Sequence, residues 1–137
     1  MDKKTSHLNM IQNVITKMGN NSFSLKGWAV GIMIAVYAFA GKSNVKAVIV
    51  TLMPLIVFWF IDTYYLMMER KYRGLYDDVR KKDEEEIDFS MNPNDVKIDL
   101  KDVKKYVFFN IFLSKSVLPF YIVCIATTLV IYFVEFK

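Results

Sequence analysis

Three long apolar stretches constrain the fold of this chain more than any other feature. They occupy residues 23–40, 47–68 and 117–136. The last two are long enough to cross a hydrocarbon core of about 30 Å at about 1.5 Å per helical residue. The first is shorter and contains Lys26, which lies near its start and can extend to the headgroups. The sequence therefore predicts an all-α membrane protein with three transmembrane helices.

Charge is concentrated between the second and third apolar stretches. Residues 69–105 contain ten Lys or Arg and eleven Asp or Glu, whereas the short link before Ala47 carries two lysines. By the positive-inside rule, the N-terminus and residues 69–105 are cytoplasmic, and the link and the C-terminus lie outside. We expect residues 22–68 to form a transmembrane hairpin and 69–105 a charged cytoplasmic segment.

The N-terminal segment, residues 1–21, is predicted to form an amphipathic helix of its own. Leu8, Ile11, Ile15 and Met18 recur at three- and four-residue spacing and share one face. Such a helix is expected to lie along the bilayer surface or against a neighbouring subunit. The residues "GNNS" at 19–22 are expected to end it.

A single long helix is predicted from Ala47 to roughly Glu86, extending the second span into the cytosol. Pro54 is expected to kink it. Its extension is supported by acid-before-base pairs at i, i+4, which are Glu69 with Arg73, Asp77 with Lys81, and Asp78 with Lys82.

The remaining segments predict shorter elements. Alternation at 96–100 favours a short strand, and loop is an equally good interpretation. Residues 106–137 predict an interfacial helix, a bend at 114–116 and the third span at 117–136.

Gly27, Gly31 and Ala35 fall four residues apart and form a row of small side chains in the first span. Such rows let two helices approach closely in a membrane. Packing against the second span is the favoured interpretation, and packing between subunits is the alternative.

The chain has few residues suited to catalysis. His7 and Cys124 are the only histidine and cysteine, and they lie near opposite ends. No Cys/His pair or zinc cluster can form within one subunit, and no phosphate-binding glycine motif is present. We expect no enzyme activity, no catalytic residues, no metal site and no cofactor.

Polar residues within the apolar stretches have two interpretations. Asp62 is expected to pair with Lys26 or Lys115, and the alternative is a place in an ion path. The third span carries its polar residues on one face, which either packs against protein or lines a pore. They are Tyr121, Cys124, Thr128, Tyr132 and Glu135.

Two basic clusters follow the second span, with tyrosines between them. Cationic side chains interleaved with rings suit a single-stranded nucleotide or another anionic ligand. Lipid headgroups and internal pairing with acidic neighbours are the alternatives. The residues concerned are Arg70, Lys71, Tyr72, Arg73, Tyr76, Arg80, Lys81 and Lys82.

The stretches "IQNVITKMGNNSFSLKGWAV", "FWFIDTYYLMMERKYRGLYDDVR" and "IDFSMN" resemble those of small bacterial membrane proteins linked to anti-phage defence loci. Among characterised systems, the chain resembles the membrane channel effector of the Hailong type. That effector is paired with a nucleotidyltransferase, and a nucleotide oligomer controls its opening.

The resemblance implies an oligomeric channel or pore effector in the bacterial inner membrane, gated by a cytoplasmic nucleotide oligomer or partner. Its expected partners are membrane lipids, further copies of the chain, most simply in a tetramer, and an oligonucleotide made by a nucleotidyltransferase. Duplex DNA is not expected to bind. Two other functions stay open: a non-conducting adaptor that anchors a soluble partner, and an unregulated holin-like toxin.

Overall fold

Five α-helices make up most of the protein, for which we obtained a computed structural model describing residues 2–40, 45–96 and 102–135. The helices are α1 (Lys3–Ala40), α2 (Val45–Val50), α3 (Leu52–Lys81), α4 (Phe108–Phe112) and α5 (Leu118–Glu135). Short 3₁₀ turns form at Glu84–Glu86 and Val103–Tyr106. Within these three ranges the fold is all-helical, as predicted.

Helix α1 runs without interruption through the residues expected to break it. It is 38 residues long, so the prediction of a separate interfacial helix over 1–21 is wrong. Gly19 and Asn20 are weak helix formers, at a cost of about 1 kcal/mol or less each. Packing against α3 outweighs this cost: Ile11 and Ile15 are buried against it, and Ser22 hydrogen-bonds to Asp62.

The second apolar stretch is divided between α2 and α3 at Thr51. Pro54 has no N–H, and its ring excludes the carbonyl four residues earlier, at Val50. Thr51 instead donates from its backbone N–H and its hydroxyl to the carbonyl of Val48, at 3.2 and 2.6 Å. The prediction of a single uninterrupted helix from Ala47 is therefore wrong, and the break lies three residues before the proline that was expected to kink it.

Helix α3 ends earlier than expected. Its last residue is Lys81, and Lys82 adopts an extended conformation. Asp83 and Glu86 then form a capping box around the turn Glu84–Glu86. The extension to Glu86 is wrong because these acidic side chains cap a new turn rather than continuing the helix.

Helices α1 and α3 form one long antiparallel pair. At one end, Ile11, Ile15, Leu75 and Val79 make a buried group that we call the polar-end cluster. At the other end, α5 joins the pair, and a second buried group forms, the apolar-end cluster, comprising Ala29, Met33, Leu55 and Cys124. At 1.5 Å per residue, α1 alone is about 57 Å long.

The segment before α5 bends as predicted. Helix α4 has five residues and is followed by turns through Val117. Phe112 stacks on Trp59 of α3 at 4.1 Å between ring centroids, and its carbonyl accepts a hydrogen bond from the Trp59 indole. These contacts fix the start of α5 beside the first third of α3.

Two helices are long and apolar enough to cross a membrane. They are Lys3–Phe39 and the combined segment Lys46–Lys81. Leu118–Val134 is a shorter apolar helix.

The row of small residues on α1 faces away from α3. A Cβ atom added at Gly27 or Gly31 would meet no atom within 4 Å, and Ala35 is exposed. The favoured interpretation, packing against the second span, is therefore wrong. Ala29 and Met33, on the opposite face, make that contact instead.

The strand predicted at 96–100 lies almost wholly outside the described residues. Val96, the part that is described, follows a turn and packs against the polar-end cluster.

The polar-end cluster gives a direct test of the helix pair. Ile11 is fully buried, so Ile11→Ala is expected to lower the free energy of unfolding by about 2–5 kcal/mol. Met10→Ala, at a neighbouring side chain that is 45% exposed, should change it by about 0.5 kcal/mol or less. Denaturant unfolding in detergent, followed by circular dichroism, measures both. Equal effects would contradict the packing described.

Candidate functional site

A buried polar centre lies between α1 and α3 in the apolar half of the protein. Ser22 and Lys26 are four residues apart and share the face of α1 that meets Asp62. One carboxylate oxygen of Asp62 accepts a hydrogen bond from the Ser22 hydroxyl. The other lies 2.6 Å from the Lys26 ammonium, which also donates to Ser22 at 3.0 Å.

The surroundings make this ion pair costly to break. Asp62 is completely buried and Lys26 is 22% exposed. An isolated charge in such a place costs several kcal/mol, and a short, hydrogen-bonded partner offsets that cost. Lys115, the other predicted partner, is exposed. The geometry matches the structural interpretation of Asp62.

The polar face of α5 packs mainly inside the chain. Thr128 is buried and shares a 2.6 Å hydrogen bond with Tyr37 of α1. Tyr121 is buried and stacks on Trp59 at 5.6 Å between centroids. Its hydroxyl lies in the neighbourhood of the Asp62 carboxylate, but the two groups do not form a hydrogen bond of ordinary geometry.

This packing separates the five predicted pore candidates. Asp62, Tyr121 and Thr128 are buried within the subunit and line no water path in this conformation. Tyr132 is half-buried and contacts the ring of Phe133. The side chain of Glu135 lies outside the described residues.

The eight predicted ligand residues of α3 and its end do not form one surface. Tyr72 and Tyr76 pack against the polar-end cluster. Lys71 donates to Asn94 at 3.3 Å, and Lys81 is exposed. Of the other four, Arg73, Arg80 and Lys82 pair with acidic neighbours, and Arg70 lies at a pocket.

Acidic neighbours pair with several of these cations. Arg73 bonds to Glu69 at 2.7 Å, and Lys82 lies 3.4 Å from Asp78, as predicted. Asp77 pairs with Arg80 at 3.4 Å, so its predicted pairing with Lys81 is wrong. At i, i+3, Arg80 is as close a neighbour as the i+4 lysine, and its longer side chain reaches back to the carboxylate.

Arg70 and Arg73 line a pocket of about 300 Å³ together with four residues that the sequence did not predict as ligand residues. These are Gly74, Asp77, Lys105 and Tyr106. A Cβ atom at Gly74 would lie 3.1 Å from the Tyr106 hydroxyl, so the glycine makes room for that ring. A glycine within the charged part of a helix was the one sequence signal of a close approach here.

The only histidine links α1 to the loop that follows α3. His7 is buried, and its Nε2 atom lies 2.8 Å from the carbonyl of Ser90. The backbone N–H of Ser90 donates to Asp88 and lowers the pKa of that carboxyl below its usual value. Among the described residues, no group of His, Cys, Asp and Glu side chains is arranged to hold a metal ion.

Comparisons with known proteins add no relative to this picture. No family model, curated protein or solved structure matches the chain. The resemblance to anti-phage membrane effectors therefore stays a prediction from the quoted stretches.

The ion pair can be tested by a double-mutant cycle. Lys26→Met and Asp62→Asn are each expected to lower the free energy of unfolding in detergent by about 2–4 kcal/mol, because each leaves a polar group without its partner. The double variant should lose about 1–3 kcal/mol less than the sum.

Lys115→Met, which removes an exposed lysine, serves as the control and should change stability by about 0.5 kcal/mol or less. Strictly additive effects of the two substitutions would contradict the pairing.

Proposed function

We propose that this chain is a subunit of an oligomeric channel or pore in the bacterial inner membrane, with three spans and a cytoplasmic collar. The first span is the second half of α1. The second span is α2 together with the first half of α3, and the third span is α5. The collar is the N-terminal segment together with residues 69–105. The C-terminal end of α5 faces the outside of the cell.

The exposed apolar surface is the observation that carries this proposal. In the most apolar 18-residue segment of Lys3–Phe39, only 11% is buried in the chain. In the corresponding segment of Lys46–Lys81, 33% is buried. The helices of a soluble core would be mostly buried. Here large apolar side chains are exposed, among them Phe23 at 80%, Phe39 at 91% and Met53 at 73%. Hydrocarbon or further subunits must cover such a surface.

The polar-end cluster supports the common location of the collar segments. It packs Ile11 and Ile15 of α1 against Leu75 and Val79 of α3. The N-terminal half of α1 and the charged part of α3 are therefore on the same side of any membrane that the chain crosses. The excess of cations near the ends of the apolar stretches favours the cytoplasmic side.

The free small-residue row supports assembly into oligomers, for which a tetramer is our expectation. Gly27 and Gly31 have no atom of the chain near the position of a Cβ atom, so a second helix can approach closely there. Asp62, Tyr121 and Thr128 are buried within the described part of one chain, so they line no path in a single copy. A path between subunits requires several copies.

Helix α3 is the element suited to link ligand binding to opening. It is continuous from Leu52 to Lys81 and so joins the collar to the spans. A nucleotide oligomer or partner gates such a channel only if it binds the closed and open forms with different affinity. Opening would dissipate the membrane gradient and stop growth of an infected cell.

One observation favours a non-conducting adaptor as the second candidate. Asp62, Tyr121 and Thr128 are all buried within the chain, so none of these polar groups is available to water in this conformation. An anchor for a soluble partner needs no such groups.

Assembly is tested at the small-residue row. Gly31→Leu fills the open position and is expected to weaken subunit association about tenfold or more, because the helix backbones can no longer approach. Met53→Leu, also on exposed apolar surface, should leave the mass unchanged. Light scattering in detergent measures both, and a monomeric parent protein would contradict the proposal.

Conduction is tested with purified protein in liposomes. We expect a fluorescence change of a trapped ion-sensitive dye that depends on the protein and that alters when short single-stranded oligonucleotides are added to the collar side. Lys26→Met, which disturbs the buried pair, should alter the flux, whereas Lys115→Met should not. Absence of flux under every condition would favour the adaptor. Flux that is indifferent to every added ligand would favour the holin-like toxin.

A further inference from the structure

The pocket beside α3 brings three cationic side chains from two separate segments to one place. Arg70 and Arg73 come from α3, and Lys105 comes from the turn Val103–Tyr106. Arg70 Nη1 donates to the carbonyl of Lys105 at 3.2 Å, which holds the two segments together. The pocket volume, about 300 Å³, is at the lower end of the range for small-ligand sites.

Arg70 has donors to spare. Its guanidinium carries five N–H groups, and the one described contact is to a backbone carbonyl, which leaves its charge without a carboxylate within the described residues. A half-buried guanidinium with unused donors at the edge of a pocket favours an anion.

The other two cations are themselves exposed, and each pairs with an acidic neighbour. Arg73, 65% exposed, pairs with Glu69, and Lys105, 68% exposed, pairs with Asp102 at 2.6 Å. The hydrogen bond to Asp102 raises the pKa of Lys105, which therefore stays charged. The pair of Lys105 with Asp102 is exposed on both sides and contributes little stability, whereas an arginine fork on a phosphate is a strong, charge-assisted contact. A phosphate can therefore share Lys105 at small cost, and the exposed Arg73 can add to the contact with Arg70.

Gly74 and Tyr106 complete the pocket. Because Gly74 has no side chain, the Tyr106 hydroxyl comes close to the α3 backbone and lies at the pocket as a neutral hydrogen-bond donor. Asp77 is the one acidic side chain in the lining, and it pairs with Arg80.

We propose that this pocket binds a phosphate group through Arg70, Arg73 and Lys105, with the Tyr106 hydroxyl as a further donor. A lipid headgroup and a soluble phosphate compound share this chemistry. The inference rests on the proposed function in one respect, that the collar faces the compartment from which the phosphate comes.

A phosphate bound here would also tie the turn Val103–Tyr106 more firmly to α3. That turn leads into α4, where Phe108 stacks on Phe60 and Phe112 stacks on Trp59. Trp59 in turn stacks on Tyr121 of α5. The bound phosphate would therefore stabilise one arrangement of the start of α5 against the first third of α3.

The experiment uses the full chain in dodecyl maltoside, a detergent without phosphate, at fixed ionic strength. Inorganic pyrophosphate and dihexanoyl phosphatidylglycerol are titrated separately, with dihexanoyl glycerol as the phosphate-free lipid control. We expect saturable binding of at least one phosphate probe by calorimetry. Pyrophosphate binding alone identifies a soluble ligand, and lipid binding alone identifies a headgroup; either supports the inference. Binding of neither probe overturns it, as does equal binding of the phosphate-free lipid.

Matched variants locate the site. Arg70→Gln and Lys105→Gln are each expected to weaken binding about tenfold or more, because each removes a charge-assisted contact. Lys81→Gln removes the same charge from the same helix outside the pocket and should stay within about twofold. Equal loss in Lys81→Gln and Arg70→Gln overturns the site. If Arg70→Gln does not fold, unchanged affinity in Lys105→Gln overturns it instead.

Binding is measured without conduction, so the two proposals fail separately. A chain that binds phosphate and never conducts keeps this site and loses the channel. A chain that conducts and binds neither probe keeps the channel and loses this site.

Discussion

The ion pair between Lys26 and Asp62 is the interaction on which the helix pair depends. A carboxylate in an apolar stretch is stable only if a donor lies at the same height on a neighbouring helix. Lys26 and Ser22 meet this requirement at one axial position of α1 against α3. At that axial position the residues of the polar-end cluster also meet at one end, and those of the apolar-end cluster meet at the other. One polar contact and two apolar groups therefore specify the same register.

Parts of the fold follow from local sequence rules. Pro54 interrupts the second apolar stretch because of its missing N–H, and the lysine and serines at 114–116 mark the bend before α5. Continuity through "GNNS" did not follow, because the weak helix propensity of those residues is outweighed by contacts with α3. The sequence also did not reveal which neighbour the row of small residues at Gly27 faces, because the partner of a helix face depends on how the helices are packed.

The candidate sites divide in the same way. Depth in the apolar stretch was enough to narrow the partner of Asp62 to Lys26 or Lys115, and the packing of α1 against α3 selects Lys26. The sequence revealed only half of the pocket beside α3: Arg70 and Arg73 are close in sequence, whereas Lys105 and Tyr106 reach it through tertiary contacts. Sequence spacing within one helix cannot reveal a neighbour supplied by another segment.

The long antiparallel pair has a mechanical consequence. Sliding α3 along α1 by one helical turn, about 5.4 Å, would pull Asp62 away from Lys26 and displace Ile11 and Ile15 from Leu75 at the other end. Tilting the two helices together breaks none of these contacts. We therefore expect movement to pass between the two ends as a lever motion of a stiff rod, and piston motion of one helix against the other to be suppressed.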